Sequence, residues 1–237
     1  MIEWKLPLEL QLADARQIRS FVTRQGRLTK GQRAALDELW PTIGLNLETF
    51  DFNAVVAGYQ QRVLEIGFGN GESLATMAEQ NPTTLFFGIE VHQPGVGALL
   101  AQIQERNIDN IRLFYADARD VLARAIPPQS LDRVQVYFPD PWPKTRHKKR
   151  RIIQGPFITT LLLLLRKEGV IHTATDWQPY AQHMLKVLSA EPGLVNTNPN
   201  PTALDQRPEY RPETKFEKRG HGLGHDVWDF VFQKREG

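Results

Sequence analysis

From residue 62 onward, short apolar runs rich in β-branched and aromatic residues alternate with segments of helical periodicity. The apolar runs predict strands, which lie at 62–66, 84–90, 111–117, 132–140, 169–176 and 226–233. The intervening segments predict helices, which lie at 72–79, 94–106, 118–125, 154–167 and 178–190. Nearly continuous apolar strands that alternate with helices are typical of a parallel sheet covered on both faces. The pattern therefore predicts an α/β doubly wound domain.

The first sixty residues do not follow this alternation. Residues 14–21 predict a helix, and a basic segment rich in turn residues follows at 24–33. We therefore divide the chain into a basic N-terminal extension, 1–57, and a main domain, 58–237. The extension either orders on a nucleic acid or contributes a helix that caps the sheet. The Pro- and Gly-rich segment 191–225 is long for a connection inside a compact domain, and such loops are usually functional or disordered.

Composition narrows the class of protein. The chain has 237 residues, of which 41% are apolar, as expected of a packed core. It contains no cysteine, which excludes disulfides and thiolate metal sites and suits a reducing compartment. The first residues lack the apolar stretch of a signal peptide, and the longest apolar run, TLLLLL, is too short to span a bilayer. We expect a cytoplasmic protein with no membrane association.

The near-neutral net charge hides two basic segments. The formal net charge is +2, and twelve cations without intervening acids lie in two places, so the rest of the chain carries −10. These cations are Arg16, Arg19, Arg24, Arg27, Lys30 and Arg33 in the first segment, and Lys144, Arg146, Lys148, Lys149, Arg150 and Arg151 in the second. Basic charge concentrated in an otherwise acidic protein indicates a polyanion-binding surface.

Five predicted strands end in, or next to, an acidic residue. These residues are Glu65, Glu90, Asp117, Asp140 and Asp176. Open α/β sheets bind ligands in the crevice beyond the carboxyl ends of their strands. We therefore expect five carboxylates at one crevice, although taken singly each could also be a helix N-cap or a solvated loop acid.

The turn after the first strand, LEIGFGNGES, contains Gly67, Gly69 and Gly71. Dinucleotide sites have the spacing G-x-G-x-x-G, whose third glycine would fall on Glu72, and no Lys-Ser/Thr pair is present for a phosphate loop. The segment resembles the first motif of Rossmann-like S-adenosylmethionine-dependent methyltransferases. That cofactor carries an ammonium and a sulfonium, which nearby carboxylates attract. A tight turn without a ligand is the alternative for these glycines.

The resemblance implies a cofactor site for S-adenosyl-L-methionine. Glu90 would accept hydrogen bonds from the ribose hydroxyls, and Asp117 from the exocyclic amine of adenine. The implied cofactor-binding residues are Glu65, Gly67, Gly69, Gly71, Glu90, Asp117 and Asp140.

The segment FPDPWPKTRHKKRR, residues 138–151, makes the resemblance specific. It is similar to the strand-four motif of the bacterial tRNA (guanine-N7-)-methyltransferase family, and IRSFVTRQGR, TATDW and TKFEKRG resemble other motifs of that family in order along the chain. The resemblance implies a Rossmann-like, mostly parallel seven-stranded sheet with helices on both faces and an antiparallel final strand. It also implies methylation of N7 of a guanosine in the variable loop of tRNA.

Chemistry suggests a role for Asp140. Guanine N7 has an available lone pair, so the transfer needs orientation more than a strong base. A carboxylate that accepts from guanine N1–H and the N2 amine would turn N7 toward the methyl group, and we therefore predict that Asp140 is the catalytic residue. Trp142 either stacks on a nucleotide or packs beneath the loop.

The resemblance implies further contacts with the RNA. The implied substrate-binding residues are Lys144, Asp176, Thr214, Lys215, Phe216 and Glu217; a loop anchor with Phe216 buried is the alternative for the last four. The implied RNA-binding residues are Arg146, His147, Lys148, Lys149, Arg150 and Arg151.

Other functions are less consistent with the sequence. A non-catalytic RNA-binding subunit on the same fold predicts a degraded glycine loop or lost strand-end acids, and both features are intact. A nicotinamide-dependent oxidoreductase needs the other glycine spacing. His221 and His225 are four residues apart, but the surrounding glycines disfavour a helix that would bring them together. We expect no metal, and no required protein partner.

Overall fold

The computed structural model describes residues 20–21, 26–197, 207–214, 217 and 226–236. The described residues form a seven-stranded sheet with the order β3-β2-β1-β4-β5-β7-β6. The strands are β1 (Gln61–Ile66), β2 (Thr84–Glu90), β3 (Ile111–Tyr115), β4 (Leu131–Tyr137), β5 (Leu165–Thr175), β6 (Leu194–Asn196) and β7 (Trp228–Lys234). The first five are parallel, and β7 is antiparallel to both of its neighbours. The predicted doubly wound sheet with an antiparallel final strand is confirmed.

Helices cover both faces of the sheet. They are α1 (Lys30–Ile43), α2 (Phe52–Val56), α3 (Glu72–Gln80), α4 (Gln93–Arg106), α5 (Ala118–Arg124), α6 (Gly155–Leu164) and α7 (Gln178–Ser189), with a 3₁₀ helix at Thr145–Arg150. One hydrophobic cluster joins the sheet to α2, α5, α6 and α7, and a second joins it to α1, α3 and α4. Among the described residues, no helix combines the length and apolarity needed to cross a membrane.

Residues 26–57 of the predicted extension pack on the sheet. Helix α1 begins with a capping box, in which Thr29 and Gln32 exchange side-chain to backbone hydrogen bonds of 2.9 and 3.2 Å. The Leu45 amide then donates to the Leu113 carbonyl of β3 at 2.8 Å. Most of the helix predicted at 14–21 lies outside the described residues.

Several boundaries differ from those predicted, and one strand was missed. The helix predicted at 154–167 ends at Leu164, because Leu165 is already extended and pairs with Leu131 of β4. A run of leucines is equally compatible with a buried helix and a buried strand, so periodicity does not locate the change. Strand β6 was not predicted, because its pairing partner β7 lies more than thirty residues further along the chain.

Candidate active site

A cavity of about 540 Å³ opens at the carboxyl edge of the sheet, where the strand order reverses between β1 and β4. Its walls include Gly67 after β1, Glu90 at the end of β2, Asp117 after β3 and Asp140 after β4. Open α/β sheets bind ligands at this switch point, and the volume suits a cofactor-sized molecule. Parallel pairing thus gathers four of the predicted site residues around one cavity.

Glu90 ties the glycine loop to the end of β2. Its carboxylate accepts hydrogen bonds from the backbone amides of Gly69 at 2.9 Å, Val91 at 2.7 Å and His92 at 3.0 Å. Gly69 has a φ of 59°, a conformation that favours glycine. Because a carboxylate has about four lone-pair positions, Glu90 both shapes the loop and retains an acceptor for a ligand.

Asp117 both caps a helix and lines the cavity. Its carboxylate caps α5 by accepting a hydrogen bond from the Arg119 amide at 3.0 Å. The residue also lines the cavity and is half-buried. The N-cap alternative and the cavity position are therefore compatible, because the cap occupies a single acceptor position.

Asp140 lies in a turn with unusual backbone geometry. Phe138 and Trp142, two residues before and after it, have φ angles of 49° and 43°. Non-glycine residues rarely adopt this region, and they do so where the surrounding structure holds them. On one side, the Phe138 amide donates to the Ala174 carbonyl of β5 at 2.8 Å. The turn presents Asp140, an exposed residue, to the cavity.

Trp142 is packed on several sides. Its Nε1 donates to the Ser20 carbonyl at 3.0 Å, and the Arg150 guanidinium lies 4.9 Å from the centre of its ring. The His147 ring approaches edge-on at 5.8 Å. These contacts pack the ring beneath the loop, and the half-buried residue also lines the cavity. They also hold Ser20 at the cavity wall.

The basic run divides into exposed and buried cations. Lys144, Arg146, Lys148 and Lys149 are exposed, along or beside the 3₁₀ helix. Desolvation, together with the neighbouring cations, lowers the pKa of His147. An exposed cluster of this kind is what phosphate binding requires.

Arg151, which the sequence groups with the RNA-binding residues, is placed differently. It is only 2% exposed, and its Nε donates to the Pro141 carbonyl at 2.9 Å. Its guanidinium lies 4.7 Å from the centre of the Tyr180 ring. Arg151 therefore supports the Asp140 turn from within, instead of facing solvent with its neighbours.

Glu65 lies in a buried polar network and not among the residues that line the cavity. Its carboxylate accepts a hydrogen bond from Gln135 Nε2 at 2.7 Å, and the Tyr137 hydroxyl donates to Gln135 Oε1 at 3.1 Å. The same hydroxyl is 2.9 Å from His172 Nδ1, and His172 Nε2 is 2.6 Å from Asp229 Oδ1. Burial raises the pKa of Glu65 to about 7 and lowers the pKa of His172.

Of the predicted substrate residues, Glu217 is joined to this network through Arg211, which binds both Glu217 and Asp229. Asp176 is half-buried directly after β5, which pairs with β4, the strand that precedes the Asp140 turn. The Glu217 carboxylate accepts from the Thr214 amide at 2.9 Å, and Thr214 Oγ1 accepts from the Glu217 amide at 3.2 Å. Lys215 and Phe216 lie outside the described residues, as do His221 and His225. The described residues contain no cluster of metal-ligating side chains.

Sequence reasoning missed two residues near the site. A Cβ at Gly95 in α4 would lie 2.2 Å from the Gly69 carbonyl oxygen. A glycine inside a helical pattern indicates close packing of this kind, so the signal was present. Arg211 binds both Glu217 and Asp229, and no local pattern identifies it.

Comparisons with known proteins agree with this arrangement. A model of a putative methyltransferase family matches residues 59–230. A tRNA (guanine-N(7)-)-methyltransferase of Pectobacterium atrosepticum is 54% identical over 92% of this chain and 92% of that protein. One of Alcanivorax borkumensis is 51% identical over 93% and 92%, respectively.

The chain belongs to the tRNA (guanine-N7-)-methyltransferase family.

Solved structures support the fold of this family member. A 16S rRNA methyltransferase, KamB, superposes with a TM-score of 0.58 at 16% identity, over 78% of this chain and 93% of that chain. TrmN from Thermus thermophilus gives 0.53 at 18% identity, over 86% and 48%. At these identities the likeness concerns the fold alone. The resemblance found in the sequence is confirmed, and membership of a methyltransferase family implies a methyl donor.

Proposed function

We propose that the protein methylates N7 of a guanosine in the variable loop of tRNA, with S-adenosyl-L-methionine as the methyl donor. Relatives that are more than half identical over the aligned residues bear the name tRNA (guanine-N(7)-)-methyltransferase. The observation that carries the proposal is the switch-point cavity, which combines the glycine loop with Asp140 and adjoins the exposed basic run.

The residues of the cavity fit this cofactor. Its described lining includes Glu90, Asp117 and Asp140 but neither lysine nor arginine. Carboxylates attract a molecule with an ammonium and a sulfonium, whereas a pyrophosphate would call for cations or free backbone amides. The Gly69 amide is already bonded to Glu90, as is expected where the ligand has no phosphate to bind. A Cβ at Gly67 would meet no atom within 4 Å, so the loop leaves open space at the cavity wall.

When bound, S-adenosyl-L-methionine supplies the electrophilic methyl group. Glu90 and Asp117 would hold it through their remaining acceptor positions. Asp140 would accept from N1–H and the N2 amine of the guanine, which turns N7 toward the cofactor. The same carboxylate would stabilise the positive charge that develops on the alkylated base.

The exposed cations would place the tRNA over the cavity. Lys144, Arg146, Lys148 and Lys149 follow the Asp140 turn directly, so phosphates bound there lie close to the reacting base. We propose that Asp176 and the segment 214–217 contact the substrate, and that the basic residues before position 26 add RNA contacts. An enzyme acting on tRNA would work in the cytoplasm.

The test is methyl transfer from labelled S-adenosyl-L-methionine to unmodified tRNA by the purified chain alone. The modified position is mapped by cleavage at N7-methylguanosine. A single product in the variable loop supports the proposal and shows that no protein partner is required. Cofactor binding without transfer to tRNA would overturn it and favour the non-catalytic RNA-binding alternative.

A further inference from the structure

The buried, charged side chain of Arg211 joins two parts of the chain through hydrogen bonds, a noncovalent crosslink between Glu217 and Asp229. It is 1% exposed, and its guanidinium makes four hydrogen bonds of 2.7 Å each. Two go to the Glu217 carboxylate and two to the Asp229 carboxylate of β7. Burial alone would lower the pKa of Arg211, but these hydrogen bonds raise it. Paired hydrogen bonds of this kind fix orientation as well as distance.

One side of the crosslink fixes the proposed substrate segment. Both carboxylate oxygens of Glu217 accept hydrogen bonds from Arg211, and Glu217 also exchanges two hydrogen bonds with Thr214. Asp229 lies opposite Ala174, near the carboxyl end of β5. Arg211 therefore anchors Glu217, and with it Thr214, to the sheet edge at which the cavity opens.

The other side reaches the turn that carries Asp140. The guanidinium carbon of Arg211 lies 5.4 Å from the centre of the Tyr137 ring and 5.7 Å from that of Phe138. Phe138 begins the Asp140 turn with a φ of 49° and lines the cavity. A residue in this conformation depends on its surroundings to stay there. The ring contact with Arg211 supplies part of that support.

We propose that Arg211 is a positioning residue for the methyl transfer, holding the Asp140 turn in a fixed relation to Glu217 and its partner Thr214. The inference rests on the proposed function, whose catalytic and substrate residues these are. Arg211 is not among the residues that line the cavity, so it acts through Phe138 and Glu217 and not on the reacting atoms. Geometry of this kind matters because small displacements of reacting groups lower the rate steeply.

The experiment compares Arg211→Lys with a control of similar structural cost. Lysine keeps the charge but cannot form the fork that bridges both carboxylates. The control is Asn110→Ala, because the buried Asn110 amide donates to three backbone carbonyls at the opposite edge of the sheet. Each variant is characterised by its melting temperature, its Kd for S-adenosyl-L-methionine, and single-turnover methylation of unmodified tRNA well below melting.

Arg211→Lys is expected to lose about tenfold or more in single-turnover rate while its cofactor Kd stays within about threefold of the wild type. Asn110→Ala is expected to melt lower and to keep the wild-type rate. A wild-type rate in folded Arg211→Lys would overturn the role of Arg211. An equal loss of rate in Asn110→Ala would also overturn it, by showing that general destabilisation suffices.

Two further variants test the two sets of Arg211 contacts one at a time. They also test the proposal if Arg211→Lys does not fold. Glu217→Gln weakens the hydrogen bonds of Arg211 on the substrate side, and Phe138→Leu removes the ring that Arg211 contacts on the catalytic side. A slower single turnover in both supports the proposal, and a wild-type rate in either overturns it. A wild-type protein that fails to methylate tRNA would instead overturn the proposed function.

Discussion

The Gly69 amide donates a hydrogen bond of 2.9 Å to the Glu90 carboxylate, and this bond joins the loop after β1 to the end of β2. Glu90 also accepts from the two amides that lead into α4, so one carboxylate orients both walls of the cavity. The glycine at position 95 lets α4 approach the same loop. The shape of the cavity therefore depends on backbone packing as much as on side chains.

Gly95→Ala should weaken the binding of S-adenosyl-L-methionine. Its Cβ would lie 2.2 Å from the Gly69 carbonyl oxygen, so either the loop or α4 must move. We expect the cofactor Kd, measured by calorimetry, to rise by about tenfold or more, because overpacking of this kind costs roughly 1–3 kcal/mol. The matched control is Gly155→Ala in α6, where a Cβ meets nothing within 4 Å. Equal affinities in the two variants would contradict the close packing.

Asp140→Asn should stop transfer without preventing cofactor binding. The amide keeps the size of the carboxylate but loses its charge and one acceptor, so the single-turnover rate should fall by about 100-fold or more. Asp120→Asn, an exposed residue of α5, is the control and should keep the wild-type rate. If the cofactor Kd rises in step with the loss of rate, Asp140 acts mainly through the cofactor.

Replacing the exposed cations of the basic run should weaken tRNA binding in a salt-dependent way. In the triple variant Arg146→Ala, Lys148→Ala, Lys149→Ala, we expect the slope of log Kd against log salt to become shallower by about 2 to 3, since each phosphate contact contributes close to one. The control is Lys167→Ala, which should keep the wild-type slope. Lys167 is exposed and lies near the amino end of β5, away from the sheet edge at which the cavity opens. An unchanged slope in the triple variant would place the tRNA elsewhere.

Arg151→Lys should show whether Arg151 supports the Asp140 turn or binds phosphate. Because Arg151 is buried against Pro141, we expect a slower single turnover with an unchanged salt slope. The same binding titrations and rate measurements serve for this variant. A shallower slope would show that Arg151 reaches the RNA after all.

Glu65 should make stability depend on pH near neutrality. Burial raises its pKa to about 7, so the folded protein retains a proton that the unfolded chain has already released. The free energy of unfolding should therefore fall as pH rises from about 4.5 to about 7, and then level off. The side chain introduced by Glu65→Gln stays neutral. The difference between the free energies of unfolding of this variant and of the wild type should therefore rise by about 3 kcal/mol, in favour of the variant, from pH 5 to pH 8.

Urea unfolding of both proteins at the two pH values tests this expectation. The control is Glu105→Gln, an exposed residue of α4, whose difference from the wild type should be the same at both pH values. If Glu65→Gln behaves like this control, Glu65 is already ionised in the folded protein below neutrality.

The sequence by itself determined the fold class and predicted the place of the candidate site. Apolar strands alternating with helices require a parallel sheet, and parallel strands bring their carboxyl ends to one edge. For that reason the sequence alone places Glu90, Asp117 and Asp140 at one edge, where the structure shows that they line one cavity. The family motif around Asp140 added the chemistry, because it joins a carboxylate to a basic run.

Only the tertiary structure decided which way several side chains face. Glu65 lies in β1, whose last four residues are all buried, so alternation cannot show that its carboxylate joins Gln135 and not the cavity. Arg151 looks like one more cation of a basic run until its contact with Pro141 is seen. Arg211 acts through Glu217, Phe138 and β7, which lie apart along the chain. Contacts of this kind are set by packing across the whole fold, which local patterns of residues do not contain.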